Sequence, residues 1–382
     1  MRKLFLSAMA LTLLVPFGTT AAGKGDWFAY IGTYTRGKSK GIYAFRFSPS
    51  TGAATEIGLV AETSNPSFLV VHPNQQFLYA ANEDSNYQGQ SAGSVSAFAI
   101  DRATGRLKHL NTVSTKGAGP CHVALDRKGR WLIASNYGGG STAVFPVKAD
   151  GWLGEASAFV QHSGPVALPQ RQGGPHAHYA TVTPDNRLVM VADLGLDKIL
   201  VYRLDAVKGT LTPHDPPFGK TAPGTGPRHG AFRPDGKFFY ALTEIVPGVT
   251  AFRYNAAKGS LDEIQTISSL PADYTGNKSG AEIAAHPSGK FLYSSNRGHN
   301  TIAAFRVDPK DGKLTAGDRT PTGGRTPRSF AIDPTGKWLL AANQDTDNIV
   351  LFRIDQTTGA LTPAGKTIEA AVPVCIVFSA VR

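Results

Sequence analysis

Beyond residue 22 the sequence has no apolar run near the roughly 20 residues needed to span a bilayer, so no membrane-crossing helix is expected there. It is poor in charge: Asp, Glu, Lys and Arg make up 18% of the chain. That scarcity disfavours a helical bundle or coiled coil. Cysteine is nearly absent, with only Cys121 and Cys375 present, so at most one disulfide can form. Apolar residues reach 41% of the 382, enough for a core and too many for a disordered chain. Gly and Pro are abundant at 42 and 25 residues, as expected for many short strands joined by tight turns.

The N-terminus reads as a secretory leader over residues 1–22. Arg2 and Lys3 are basic, Leu4 to Phe17 is almost wholly apolar, and Thr20, Ala21 and Ala22 offer a small-residue cleavage point. The mature domain is therefore expected over 23–382, in a periplasmic or secreted location. Without Arg2 and Lys3 the chain keeps 37 basic against 28 acidic residues, about +9. Many of these charges sit in recurring turns (Arg130, Lys237, Lys290, Lys337) or on strands (Arg203, Arg253, Arg306, Arg353). Such placement fits a solvated surface, and no nucleic-acid partner is expected.

The dominant pattern is an internal repeat. HPNQQFLYAANE from His72, DRKGRWLIASNY from Asp126, TPDNRLVMVADL from Thr183, RPDGKFFYALTE from Arg233, HPSGKFLYSSNR from His286 and DPTGKWLLAANQ from Asp333 each read as a turn and an apolar strand. Their starts lie 47 to 57 residues apart, a repeat-architecture period. A short strand precedes each turn, and two more follow, as in TIAAFRV and the stretch after KDGKL. Each unit is a four-stranded antiparallel meander, the blade of a β-propeller. Six units are complete. A seventh begins at Trp27 and Gly41 but lacks its inner strand, which the C-terminal VCIVFSA from Val374 supplies. The fold class is thus all-β, a seven-bladed β-propeller closed by pairing of the two chain ends, which removes exposed edges.

The repeat also locates the chemistry. The start of each inner strand lies beside the end of the next, opposite the turn. Counting from the turn pairs Ser67 with Glu83, Cys121 with Tyr137, His178 with Leu194, Arg228 with Glu244, Ala281 with Arg297, and Arg328 with Gln344. These positions converge at one mouth of the central channel, together with Tyr34, His122, Asn136, Asp193, His229, Glu282 and His299. A blade needs no ionisable residue there, since Ser67 and Ala281 serve as well. A small-molecule site is therefore expected at this mouth.

The segments holding PHAH (175–178), DLGLDK (193–198), GPRH (226–229) and SNRGH (295–299) make the chain resemble the seven-bladed lactonase family. That family includes the propeller-type 6-phosphogluconolactonases and the related carboxy-cis,cis-muconate lactonizing enzyme. The resemblance runs from about residue 27 to the C-terminus. It implies a lactone hydrolase without cofactor, whose site combines one His, two Arg and one Glu. Those positions fall here on His178, Arg228, Glu244 and Arg297, four residues that the repeat places at one mouth. Glu244 or His178 is expected to take a proton from water, and Arg228 to stabilise the oxyanion. Arg297, with Arg171 or Arg328, is expected to hold a carboxylate or phosphate. His176, His122, His229, Glu282, Gln344, Asn136 and Asp193 are expected to line the substrate. The partner is then a lactone and the protein a monomer. A non-catalytic binding propeller and a muconate-type cycloisomerase are the alternatives.

Other signals carry less. GKSKG (37–41) and GQSAG (89–93) fit a nucleophile-elbow pattern but lack a following helix. His176 and His178 share a strand face, yet the surrounding arginines disfavour a metal, and none is expected. Cys121 and Cys375 read as equivalent positions in blades 3 and 1, too far apart to bridge, so both are expected to be free. Alternation turns Cys121 and His122 to opposite faces, which disfavours a thiol–imidazole pair between them.

Overall fold

The computed structural model describes residues 25–382, so the expected leader at 1–22 lies outside them. Seven antiparallel sheets of four strands form the fold. Their innermost strands are Pro373–Ala380 in blade 1, Pro66–Val71, Pro120–Leu125, Ala177–Val182, Pro227–Phe232, Ser279–Ala285, and Pro327–Ile332 in blade 7. Each touches the innermost strands of both neighbours, and the contact from Pro373–Ala380 to Pro66–Val71 closes the circle. Among the described residues the only helix is the single turn Pro169–Gln172.

The sequence dictates this packing simply. Second strands such as Phe77–Asn82, Trp131–Asn136 and Phe238–Thr243 are buried at every position, as their unbroken apolar character requires. Outer strands such as Leu361–Glu369 are largely exposed and carry the polar residues. One apolar cluster fills the seam between each pair of adjacent blades, including that between blades 7 and 1 (Trp338, Leu340, Phe47, Ile376).

The repeated tyrosine of the second strand ties the seams. The hydroxyls of Tyr30, Tyr79, Tyr240 and Tyr293 donate to the carbonyls of Gly105, Gly151, Gly312 and Gly359 in the next blade. Those glycines must be glycine twice over. Gly312 has φ +75°, and a Cβ there would lie 2.2 Å from the Phe238 ring.

Ring closure rests on one terminal strand. Pro373–Ala380 pairs along the whole of Trp27–Thr33. A chain ending at residue 371 leaves that inner edge unpaired and the cluster around Cys375 and Ile376 open. It is expected to lose its cooperative thermal transition by circular dichroism. A truncated chain melting within a few degrees of the full one would show that closure is dispensable.

Candidate active site

In every blade the innermost strand opens with a β-bulge. Pairing jumps from Pro66 to Phe68, Pro120 to His122, Ala177 to Tyr179, Pro227 to His229, Gly280 to Ile283, Pro327 to Ser329 and Cys375 to Pro373. A bulge sets two residues against one and re-aims their side chains. In blades 3 and 5 two successive side chains therefore turn toward the same neighbouring blade. Cys121 Sγ reaches the His178 ring while His122 Nδ1 accepts from the Ala180 N–H, both in blade 4. Arg228 donates to the Ala281 carbonyl while His229 bonds Glu282, both in blade 6. The expected alternation of Cys121 and His122 thus fails, although the thiol's partner is His178, 3.6 Å away.

The bulge also corrects the cysteine register. Val374, not Cys375, occupies the place of Cys121, and Cys375 corresponds to His122. Both thiols are free and buried, and burial raises both well above the ordinary thiol range. Neither offers a thiolate nucleophile.

The centre of the mouth is the Glu244 carboxylate, clasped by three arginines. Arg171 Nη2 donates to Oε1 at 2.5 Å, Arg228 Nε donates to Oε2 at 2.9 Å, and Arg297 Nη2 forms an ion pair with Oε2 at 3.0 Å. Burial alone would raise the Glu244 carboxyl, but Arg297, Arg228 and Arg171 outweigh it and hold it below the ordinary glutamate value. Burial and the nearby Arg228 charge bring Arg297 down to about 10, which still leaves it charged at neutral pH. Ser279 Oγ and the Gly280 carbonyl anchor the same Arg297 Nη2. Arg171 stands on the short helix, in the crossing from blade 3 to blade 4, and Gln172 beside it is fixed to the Leu194 carbonyl.

Arg328 completes the positive side. It lies over the Tyr34 ring at 5.2 Å and 4.0 Å from Glu83, whose carboxylate accepts from Tyr34 Oη at 2.8 Å. Four arginines against Glu83 and Glu244 leave the mouth with excess positive charge. Repeat counting places Glu83 and Tyr34 at the mouth, whereas Ser279, at the start of its inner strand, lies outside the counted pairs.

One residue further along each inner strand lies a second ring: Phe68, His122, Tyr179, His229, Glu282, Ser329 and Cys375. His229 packs 5.4 Å from His122 and 5.1 Å from His178, and His122 packs 4.1 Å from Phe68, ring centre to ring centre. Burial holds His122, His178 and His229 neutral, well below the usual histidine range, with Arg228 adding to the effect on each. Among the described residues no cluster of His, Cys, Asp or Glu is arranged to hold a metal.

Other expected ligands serve the frame. Asp193 is fully buried, accepting from His162 Nδ1 at 2.7 Å and from the N–H groups of His176 and Leu196. Asn136 is buried and donates to the Thr115 carbonyl and Ser141 Oγ. Both lie behind the mouth, because their side chains are spent on loops of their own and adjoining blades. His176 stacks on Tyr137 at 4.5 Å and bonds its carbonyl, at the edge of the site. Gln344 donates to Asp345, on the rim. Leu194, the partner of His178 in the counting, is buried and apolar.

This geometry has known counterparts. The sequence matches the family described as "Lactonase, 7-bladed beta-propeller" over residues 28–378. It is 39% identical to 6-phosphogluconolactonase of Bacillus subtilis over 296 residues, 78% of this chain and 82% of that one. It is 35% identical to a 6-phosphogluconolactonase of Formosa agariphila over 298 residues, 77% and 82% of the two chains. The solved periplasmic gluconolactonase of Pseudomonas aeruginosa superposes with a TM-score of 0.87 at 34% identity, covering 94% of this chain and all of that one. With its seven closed blades and its match across nearly the whole propeller, the chain belongs to the seven-bladed β-propeller family of lactone hydrolases.

Proposed function

We propose that the protein hydrolyses a gluconolactone-type sugar lactone outside the cytoplasm, at the arginine-rich mouth. The observation that carries this is the clasp of Arg171, Arg228 and Arg297 around Glu244, beside buried donors with no partner of their own. Arg297 Nε is one such atom. An unpaired buried N–H is costly, and an incoming oxygen atom relieves it. Charge develops on the carbonyl oxygen as water adds to a lactone. Arg228, fixed by Glu244 and the Ala281 carbonyl, is preorganised to stabilise that charge. Arg297 and Arg171 hold the carboxylate formed on ring opening, or a phosphate if the sugar bears one.

Glu244 stays ionised at neutral pH and keeps lone-pair capacity on Oε1, so it orients the attacking water. Its lowered basicity makes it a weak proton acceptor, and the Nδ1 of His178 is already met by the Cys121 thiol. The export leader expected at residues 1–22 and the periplasmic name of the Pseudomonas aeruginosa relative support an extracytoplasmic, unphosphorylated substrate.

The test is hydrolysis of glucono-1,5-lactone and its 6-phosphate, followed against the spontaneous rate in buffer. Saturable turnover is expected on both, with the higher kcat/KM on the unphosphorylated lactone. A preference for the phosphate reverses the substrate choice; no acceleration on either overturns the lactonase reading.

A further inference from the structure

The mouth described above binds and polarises a lactone but offers no free, oriented proton acceptor. Hydrolysis needs one, because the attacking water must lose a proton and the leaving ring oxygen must gain one. Directly beneath the mouth a pair meets the need. His229 follows Arg228 at the bulge, so its ring turns into the channel rather than away from it. Its Nδ1 bonds Glu282 Oε1 at 2.8 Å. Its Nε2 is buried and has no partner at all. An orphaned imidazole nitrogen at the centre of a site, held by a carboxylate on its other nitrogen, is the arrangement of an oriented general base. Phe68, His122, His178 and Tyr179 enclose the ring and fix it.

We propose that His229, held by Glu282, is the proton acceptor and donor of lactone hydrolysis. This rests on the lactonase reading. Water adds to the carbonyl carbon, forming the new C–O bond, and its proton passes to His229 Nε2. The ring C–O bond then breaks, and the leaving oxygen takes that proton back. The sum is lactone plus water giving the hydroxy acid, with no other reactant. Glu282 keeps the proton of His229 on Nδ1, leaving Nε2 free to accept, and stabilises the imidazolium that forms. In this role His229 is catalytic and Glu282 positions it.

The charged and titratable groups facing the pair are Arg228, Arg297 and Arg328, the Glu244 carboxylate, the His122 and His178 rings, the Tyr179 phenol and the Cys375 thiol. Burial lifts Glu282 to about 7 against the opposing pull of Arg228, while burial keeps His229 well below the usual histidine range, so near neutrality it is Glu282 that changes charge. Glu282 also borders a cavity of about 310 Å³, lined by Phe330, Ile332, Pro334 and Val377, that leads toward the turns at the far end of the channel. The pair sits between that cavity and the mouth.

Glu282 must be ionised to hold the His229 proton on Nδ1, so kcat is expected to rise with pH through about 7 in the wild-type protein as Glu282 loses its proton. Glu282→Gln preserves shape and removes the carboxylate. It is expected to lower kcat roughly 10- to 100-fold and to flatten that rise, with KM changed less than about threefold. His229→Asn is expected to lower kcat about 10²- to 10⁴-fold while gluconate still binds by calorimetry. Glu282→Asp should recover part of the pH dependence, which a purely structural role would not explain. Either variant keeping wild-type kcat and pH profile overturns the proposal, and the Gln variant decides the matter if the Asn variant does not fold. A wild-type protein that hydrolyses no lactone overturns the lactonase reading itself, a different outcome.

Discussion

Replacing Arg228 with methionine is expected to lower kcat about 10²- to 10³-fold and to cost roughly 3–5 kcal/mol of stability. The two losses share a cause. Arg228 is only 2% exposed, yet it carries a full charge between two blades. Its Nε holds Glu244 Oε2 at 2.9 Å and its Nη1 donates to the Ala281 carbonyl of blade 6. Methionine fills the volume but makes neither bond. Glu244 keeps Arg171 and Arg297, so its charge is not stranded, and the stability loss should fall near the lower figure. The oxyanion loses a donor that nothing else replaces. Arg228→Lys restores the charge as a single point and cannot bond in two directions, so it should recover stability more than rate. Steady-state kinetics and urea titration of both variants separate the effects. A methionine variant within threefold of wild-type kcat removes Arg228 from the chemistry.

Why the site was partly legible follows from the repeat itself. A residue recurring in every blade serves the ring, and one that breaks the pattern is free to serve something else. Asn82, Asn136 and Asn343 end the second strands of three blades and Asn296 stands one residue before the end of a fourth, and each donates Nδ2 to a nearby loop carbonyl. Asp193 holds the same position in blade 4 and does a similar structural job. That recurrence is visible in the sequence, and it fits the bonds that Asn136 and Asp193 make within the frame. His178, Arg228, Glu244 and Arg297 break the pattern, and counting placed them at the mouth because the blades share one geometry.

Counting failed at the bulges. Strict alternation sends Cys121 and His122, or Arg228 and His229, to opposite faces. An extra residue in the strand sends both to one face, and the second ring of side chains appears. Five of the seven inner strands start with proline, at 66, 120, 227, 327 and 373. Proline cannot donate to the ladder and favours bulges and strand starts, so the repeated proline was the available signal. Arg171, expected from the sequence as a substrate anchor, has no place in the repeat count. It sits on a one-turn helix in a crossing with no counterpart in the other blades, and only its tip's contact with Glu244 brings it to the site.

The second large effect concerns the negative charge at the centre. Glu244→Gln is expected to reduce kcat at least about 10²-fold and to destabilise the protein by roughly 3–5 kcal/mol at neutral pH. The variant leaves Arg171, Arg228 and Arg297 crowded around a neutral amide, whose NH₂ cannot accept their hydrogen bonds. Like charges a few ångströms apart in a partly buried mouth repel strongly. An external anion should take the place of the missing carboxylate. Millimolar phosphate is therefore expected to raise the melting temperature of the variant more than that of the wild type. The pH dependence has a definite sign. The folded Glu244 carboxyl lies below its unfolded value, so its contribution is fully present above about pH 4.5 and is lost as the pH falls through the folded value. The stability gap between wild type and variant should accordingly be widest near pH 7 and should narrow in acid, where the wild-type carboxyl is itself neutralised. Urea midpoints at pH 7 and pH 3.5, with and without phosphate, measure it. A gap unchanged by pH would mean that shape, not charge, makes Glu244 necessary to the mouth.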